Sequence, residues 1–189
     1  MFPERDIIKI LKRKLSKERF EHTLGVAEVA GDLAKKYGGS WKKARLAGLL
    51  HDCAKGLGLD RLIELARMSS FSVDEYEMNL PPLLHAPAGA FLARQEFGVN
   101  DQEILEAIRH HTVGSPDLST TGLIIFVADF IEPNRQFPGV EKLRKEVDKS
   151  LIHGVIAACN QSLEYNIKKG RIIHPNTLLL RNECLRRIQ

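Results

Sequence analysis

A histidine followed directly by an aspartate, His51-Asp52, stands near the end of the stretch from Ala44 to Gly56. The residues before this pair are mostly small and apolar. The stretch predicts a helix, because Ala, Leu and Arg are good helix formers and a glycine stands where a helix stop is expected. Ala47 and Gly48 recur on the side of this helix that carries the histidine, which predicts close approach of a neighbouring helix. An imidazole beside a carboxylate on such a face needs a partner, and a metal ion or an internal salt bridge would serve.

Further polar residues stand on or beside segments that are otherwise apolar. His22 shares a helix stripe with apolar residues, so it is predicted to point inward, as a hydrogen-bonded core residue or as a ligand. Asp129 interrupts an apolar stretch and needs a salt bridge or a metal, since an unpaired buried charge is costly. His85 precedes a helix start. His110 and His111 end a helix, where their cationic forms would also suit the negative helix terminus.

Taken together, these side chains form a set of imidazoles and carboxylates without a thiolate. Such a set suits a transition metal of borderline softness, such as iron, manganese or zinc. A carboxylate can bridge two metals, and a metal-bound water becomes a nucleophile near neutral pH. Helices of a bundle can bring ligands from distant positions to one place. The set consists of His22, His51, Asp52, His85, His110, His111 and Asp129.

Length and composition narrow the function classes. The chain has 189 residues, 43% hydrophobic and 28% charged, which predicts one globular domain. A net charge of +4 suits an anionic ligand but is too small to indicate nucleic-acid binding. Three widely spaced cysteines without a disulfide framework favour a reducing cytoplasm. Neither a membrane span nor a signal peptide is predicted, because the apolar runs are too short and the first residues are charged.

Helical periods cover most of the chain and no strand pattern is found, so an all-α fold is predicted. Asn100, with Glu103, is expected to cap one helix, and Thr120 or Thr121 the helix that carries Asp129. Residues 69–80 show no clear period. Helices are predicted at 7–15, 17–37, 41–55, 59–68, about 87–97, 100–112, 122–132, 142–169 in two pieces, and from Pro175 onward.

The order H…HD…H…H…D on helices resembles the HD-domain metal phosphohydrolases. Their core signature falls on His22, His51, Asp52 and Asp129. The surrounding segments resemble the bacterial YqeK-type proteins, which are symmetrical diadenosine tetraphosphate hydrolases, and the likeness reaches to about Arg181. The segments are R-F-E-H-T-L-G-V-A, L-L-H-D-C-A-K, H-A-P-A-G-A, I-R-H-H-T and A-D-F-I-E-P-N-R.

The resemblance implies one HD-type domain over residues 1–189, with a helical core at about 17–135 and C-terminal helices at 140–189 that contribute to nucleotide binding. It implies an iron enzyme, with one or two ions and with manganese or zinc as alternatives. Attack by a metal-activated water would split a dinucleoside tetraphosphate such as diadenosine tetraphosphate into two nucleoside diphosphates. The implied metal ligands are His22, His51, Asp52 and Asp129, with Asp52 as the catalytic carboxylate.

The remaining motif residues are implied to serve a second metal or the substrate. His85 and His110 would complete a second metal site or meet the phosphates. The implied substrate-binding residues are Lys55, His111, Arg135, His174, Asn176 and Thr177. Three alternatives stay open: a nucleotidase, a phosphodiesterase for another nucleotide, and a nucleotide sensor without turnover. The oligomeric state also stays open, with a homodimer as one option.

Overall fold

The computed structural model describes residues 2–189, and within that range it contains eleven α-helices, one short 3-10 turn and no β-strand. The predicted all-α bundle is confirmed. The helices are α1 (Glu4–Lys14), α2 (Lys17–Tyr37), α3 (Trp41–Leu50), α4 (Leu59–Met68), α5 (Glu75–Asn79), α6 (His85–Gln95), α7 (Gln102–His110), α8 (Thr120–Ile131), α9 (Val140–Lys149), α10 (Leu151–Lys168) and α11 (Pro175–Arg186).

The ends of α2 follow the signals that the sequence carries. The hydroxyl of Ser16 accepts a hydrogen bond from the Arg19 amide at 3.2 Å, which caps the first turn. Gly38 ends the helix in the left-handed region with φ +79°, a conformation that glycine adopts without a Cβ penalty. The predicted bounds of α2 and of α4 are therefore confirmed, as is the start of α11 at Pro175.

The predicted end of α3 at residue 55 is wrong, because the helix stops at Leu50. The chain then tightens into successive turns, in which the Cys53 amide donates to the Leu50 carbonyl at 3.1 Å and the Lys55 amide to the Asp52 carbonyl at 2.9 Å. Gly56, with φ +90°, closes this stretch. The His51-Asp52 pair thus stands just beyond the end of a helix.

Two predicted helix caps are also wrong. Asp101, and not Asn100, caps α7, since its carboxylate accepts from the Glu103 and Ile104 amides at 3.0 and 3.4 Å. Ser119, and not a threonine, caps α8. The hydroxyl of Thr121 instead donates to the Glu103 carboxylate at 2.6 Å. Neither side chain caps its own helix as the sequence suggested, because the two bind each other.

Helix α8 runs through the middle of the core. Ile124, Ile125 and Phe126 are fully buried, and each such side chain contributes about 1.5–3 kcal/mol through apolar burial. Because α8 continues to Ile131, it carries Asp129 into the same interior. Even this most apolar helix has 12 residues, and no helix in the described range is long and apolar enough to cross a bilayer.

Helices α2 and α3 lie in backbone contact, as the small residues of α3 predict. A Cβ added at Gly48 would lie 2.7 Å from the Cα of Ala27. A spacing this tight leaves no room for a methyl group between the helices. The contact sets the distance between His22 on α2 and His51 at the end of α3.

Residues 69–84, here called the α5 segment, join α4 to α6 and contain order that the sequence pattern did not predict. A capping box on Asp74 and Glu77 starts the short helix α5. The buried guanidinium of Arg109 donates to both oxygens of the Glu77 carboxylate at 2.6 Å, and also to the Ser72 carbonyl at 2.8 Å. The segment is therefore tied to α7 by a paired charge.

Candidate metal centre

One group of ligand-type atoms gathers where α2, α3 and α8 meet. The Nε2 atom of His22 lies 3.0 Å from Oδ1 of Asp129 and 3.3 Å from Nε2 of His51. The Oδ2 atom of Asp52 lies 3.5 Å from the His51 nitrogen and 3.9 Å from the His22 nitrogen. The structure thus brings together the four residues of the core signature, although they are spread along the sequence.

A second group lies on the other side of the same carboxylate. Oδ1 of Asp52 is 3.3 Å from Nε2 of His85 and 3.6 Å from Nε2 of His111, and these two nitrogens are 3.0 Å apart. Within the described chain this buried oxygen has no hydrogen-bond partner. Asp52 therefore stands between two pairs of histidines and directs one oxygen toward each.

The four histidines share one hydrogen-bonding arrangement. Each uses Nδ1 to contact an acceptor oxygen, so Nδ1 carries the proton and Nε2 presents a lone pair to the site. For three of them the acceptor is the main-chain carbonyl three residues earlier. The contacts are His51 to Gly48 at 2.7 Å, His85 to Pro82 at 2.6 Å, His111 to Ile108 at 2.7 Å, and His22 to the Glu132 carboxylate at 3.1 Å.

This arrangement fits a divalent cation. Four nitrogen lone pairs and two carboxylates face one another, and lone pairs about 3 Å apart repel unless something positive lies between them. Imidazole nitrogen and carboxylate oxygen without thiolate are the donors that iron, manganese and zinc accept. Two buried groups have donor atoms close enough together to hold an ion. They are His22, His51 and Asp129, and His51, Asp52 and His111.

Burial and the neighbouring side chains act in opposite directions on the pKa of Asp52. Burial would raise the pKa of this carboxyl, but the imidazoles of His51, His111 and His85 around it hold the pKa well below its usual range, so the side chain is a carboxylate. Burial lowers the pKa of His111 to about 4, so this imidazole is neutral at pH 7. Burial would also lower the pKa of His51, yet the neighbouring Asp52 carboxylate raises it.

Three cationic side chains border the carboxylates. The Lys55 ammonium lies 3.9 Å from Oδ1 of Asp52, and burial lowers its pKa. Arg135 binds the Asp129 carboxylate and, through Nε at 2.7 Å, the carbonyl of the same residue. Arg19 contacts Oδ2 of Asp52 at 2.7 Å. Arg19 is not among the predicted site residues, although its spacing of three residues from His22 places both side chains on one side of α2.

Glu132 is a second residue that the sequence reasoning missed. Its side chain is buried, with Oε1 on His22 Nδ1 and Oε2 accepting from the Asn134 amide at 2.7 Å. A Cβ at Gly25 would lie 2.7 Å from Oε2, so the glycine leaves the room that this carboxylate occupies. A carboxylate behind a ligand histidine fixes the ring and raises its basicity. Its signal in the sequence was a lone acid directly before Pro133.

The sequence assignment of His110 to the second group is corrected, because His111 takes that place. The His110 ring packs edge-on against Phe71, with the ring centres 6.4 Å apart, and burial lowers its pKa to about 4. Successive residues of a helix point about 100° apart, so only one of the two neighbours can face Asp52.

We expect His111→Ala to lower metal content and catalytic rate together, and His110→Ala to change neither by more than a small factor. The His111→Ala change removes a nitrogen that faces the Asp52 carboxylate. His110 is the matched control, because it is the adjacent histidine and its ring packs on Phe71. Loss of a metal contact should cost at least about 100-fold in rate. Metal analysis and steady-state kinetics check this. Equal losses in both variants would contradict the assignment.

The predicted substrate turn, His174-Pro175-Asn176-Thr177, uses its polar atoms within the protein. Nδ1 of His174 accepts from the Asn176 amide at 3.2 Å, and its Nε2 donates to Asp74 at 2.9 Å. The Thr177 hydroxyl donates to the Val113 carbonyl at 2.9 Å. The turn is therefore fixed in place, and His174 and Thr177 line a cavity with their remaining surface.

Two cavities flank the ligand groups. The apolar cavity, about 600 Å³, reaches the second group through Thr112, whose hydroxyl lies 3.3 Å from His85 Nε2 and 3.1 Å from His111 Nε2. Its walls include Leu80, Pro82, Leu83, Val113, Ile172 and Ile173. The polar cleft, about 380 Å³, adjoins the first group through His22 and is bordered by Arg19 and Arg135. A third hollow, between α9, α10 and α11, is lined by residues of neither group.

The chain is similar to proteins of known description. Residues 19–134 match the family model of the HD domain. A symmetrical bis(5'-nucleosyl)-tetraphosphatase of Halalkalibacterium halodurans is 42% identical over 94% of this chain and 95% of its own length. Its counterpart in Bacillus subtilis is 37% identical over 91% and 92%. The crystal structure of a predicted HD superfamily hydrolase involved in NAD metabolism from Clostridium acetobutylicum superposes with a TM-score of 0.94, at 37% identity and 99% coverage of both chains.

Proposed function

The chain belongs to the HD-domain family and, within it, to the symmetrical bis(5'-nucleosyl)-tetraphosphatases, and from this premise we propose how its own residues carry out the reaction. The protein is a metal-dependent hydrolase that converts diadenosine tetraphosphate and similar dinucleoside tetraphosphates, with one water, into two nucleoside diphosphates. The position of Asp52, between two histidine pairs and between two cavities, is the main observation that supports this proposal.

We propose that His22, His51, Asp52 and Asp129 hold one metal ion and that Asp52, His85 and His111 hold a second. Iron is the proposed metal, with manganese or zinc as alternatives that the same donors accept. When bound, such ions acidify a coordinated water to give a nucleophile near neutral pH and neutralise phosphate oxygens. Glu132 and the three anchoring carbonyls keep the histidine rings turned toward this position.

We propose that the phosphate chain of the substrate lies across Asp52, beside the cationic side chains of Lys55 and Arg135. Lys55 and Arg135 each border a carboxylate of the centre, so their charges stand beside the reacting phosphates. A guanidinium offers a planar fork that matches phosphate oxygens. Because a nucleoside diphosphate is a far better leaving group than a nucleoside hydroxyl, positioning and charge neutralisation supply most of the rate.

We propose that the apolar cavity holds one nucleoside of the substrate. The C-terminal part of the chain forms much of its wall, with Asn166, Arg171 and Ile172 beside the turn at His174. This supports the predicted contribution of residues 140–189 to nucleotide binding and their inclusion in one HD-type domain. Three buried free thiols, Cys53, Cys159 and Cys184, are compatible with the proposed reducing cytoplasm.

Product analysis in isotopically labelled water tests the proposed function. The protein is purified without oxygen, its metal is identified, and diadenosine tetraphosphate is hydrolysed in ¹⁸O-water. We expect ADP as the single nucleotide product, with one ¹⁸O per two ADP molecules. AMP together with ATP would show an asymmetric cut and contradict the proposal. Release of phosphate from mononucleotides, with the dinucleotide left intact, would identify a nucleotidase instead.

A further inference from the structure

The two cavities beside the centre differ in the chemistry of their walls. The apolar cavity combines leucine, isoleucine, valine and proline side chains, which can cover the faces of a base and a sugar. Every residue that lines the polar cleft is polar or charged: Ser16, Glu18, Arg19, Glu21, His22, Glu132, Asn134 and Arg135. Proteins that hold bases without sequence readout stack them on aromatic or apolar surfaces. The cleft therefore offers charged groups that can bind phosphates, and its lining includes no leucine, isoleucine, valine, phenylalanine, tyrosine or tryptophan side chain on which a base could stack.

Two guanidiniums form the inner end of this cleft. Arg19 comes from α2 and contacts Asp52, whereas Arg135 follows α8 and contacts Asp129. Their side chains are 33% and 36% exposed, so both are held at the centre and still open to the cleft. A guanidinium has five N–H donors, and the contact of Arg19 with Asp52 uses one of them.

The outer end of the cleft carries the opposite charge. Glu18 and Glu21 are exposed residues of α2 on its rim. Their carboxylates repel further phosphates and provide no apolar contact for a nucleoside. The attraction for an anionic chain is thus confined to the arginines, next to Asp52 and Asp129. Two guanidiniums can pair with two phosphates, which is the number that lies beyond the central cut.

Building on the proposed function, we propose that the polar cleft is the subsite of the departing half of the substrate and binds only its phosphates. A nucleoside 5'-tetraphosphate, which lacks the second nucleoside, is then also a substrate. The water oxygen bonds to the β-phosphorus, the bond from that phosphorus to the oxygen bridging to the γ-phosphorus breaks, and pyrophosphate leaves with the bonding electrons. The two protons of the water pass to product oxygens or to solvent. The products are a nucleoside diphosphate and inorganic pyrophosphate.

A nucleoside triphosphate places only one phosphate beyond the same bond, so it cannot meet both arginines. Loss of one charge-assisted contact should make it a poorer substrate by about 10- to 100-fold. The cleft would in this way distinguish nucleoside tetraphosphates from nucleoside triphosphates.

The activity test compares diadenosine tetraphosphate with adenosine 5'-tetraphosphate on the metal-loaded protein. We expect kcat/KM for the two to agree within about tenfold, with ADP and pyrophosphate formed from the second. Arg19→Gln should lower kcat/KM for both by about 10- to 100-fold, because a charge-assisted contact to the departing phosphates is lost. Arg13→Gln removes the same charge from an exposed position on α1 and should change neither.

A binding measurement separates phosphate recognition from effects on the chemical step. Inorganic pyrophosphate is titrated calorimetrically into metal-loaded protein saturated with ADP, and Arg19→Gln should weaken its binding by about tenfold or more. The inference is overturned if the dinucleotide gives two ADP at the ordinary rate while adenosine 5'-tetraphosphate is cut more than about 100-fold less efficiently. Unchanged pyrophosphate affinity in Arg19→Gln would overturn it as well. Failure of the dinucleotide to give ADP would instead refute the proposed function.

Discussion

Asp52→Asn is expected to abolish activity and to release metal while the protein stays folded. The carboxylate directs one oxygen to each histidine pair, and an amide replaces one of those oxygens by an N–H donor that repels a cation. We expect at least about a 1000-fold fall in kcat, which corresponds to about 4 kcal/mol of transition-state stabilisation. Metal analysis and single-turnover kinetics measure the two losses.

The folded state should survive because the new amide can donate to the free Nε2 atoms that surround it. Helix content by circular dichroism should therefore match the original protein. Asp32→Asn, on an exposed position of α2 with its side chain 69% accessible, is the matched control and should keep both metal and rate. Ordinary turnover with full metal content in Asp52→Asn would refute its role as the bridging carboxylate.

Arg109→Met is expected to destabilise the protein strongly, although it lies outside the metal centre. It leaves the buried Glu77 carboxylate without its two guanidinium hydrogen bonds. Breaking one partner of a buried ion pair costs about 3–5 kcal/mol in the free energy of unfolding. Urea denaturation of the metal-free protein measures it. Activity should also fall, because the α5 segment includes Pro82, whose carbonyl anchors His85.

The double variant Arg109→Met with Glu77→Leu tests whether the unpaired Glu77 carboxylate causes the loss of stability. Removing both charges avoids an unpaired buried carboxylate, so most of the lost stability should return. Arg61→Met breaks an exposed pair with Glu64 and should change the free energy of unfolding by less than about 1 kcal/mol. Equal destabilisation by the single and double variants would show that packing volume, and not the charge pair, is what the segment needs.

Local signals in the sequence were sufficient to predict most of the helices and to select His22, His51, Asp52 and Asp129, which the structure brings together. The 3.6-residue period fixes α2 and α4, and a charge inside an apolar helix marks Asp129, because both signals lie within a few turns of chain. The same period distinguishes His111 from His110. His111 continues the buried stripe of Ile104 and Ile108, and strict attention to helix phase would have selected it.

Contacts between residues that are distant along the chain could not be predicted from local sequence patterns. Glu132 meets His22 across 110 positions, and Arg109 meets Glu77 across 32, so neither pair leaves a pattern within one helix. The end of α3 at Leu50 is a further case. Residue propensities favour continuing the helix, whereas the turns that follow place Asp52 beside His51 and among three histidines from other elements.

Three of the histidines donate to main-chain carbonyls, and this determines which missense mutations can remove their hydrogen-bond acceptors. A main-chain oxygen is present whatever side chain a codon specifies, so no missense change at Ile108 deletes the acceptor of His111. His22 differs, since its acceptor belongs to the side chain of Glu132 and can be lost in one nucleotide step. A population of randomly mutated genes should therefore retain function with other apolar residues of similar size at the buried position 108, and seldom with any residue but glutamate at 132.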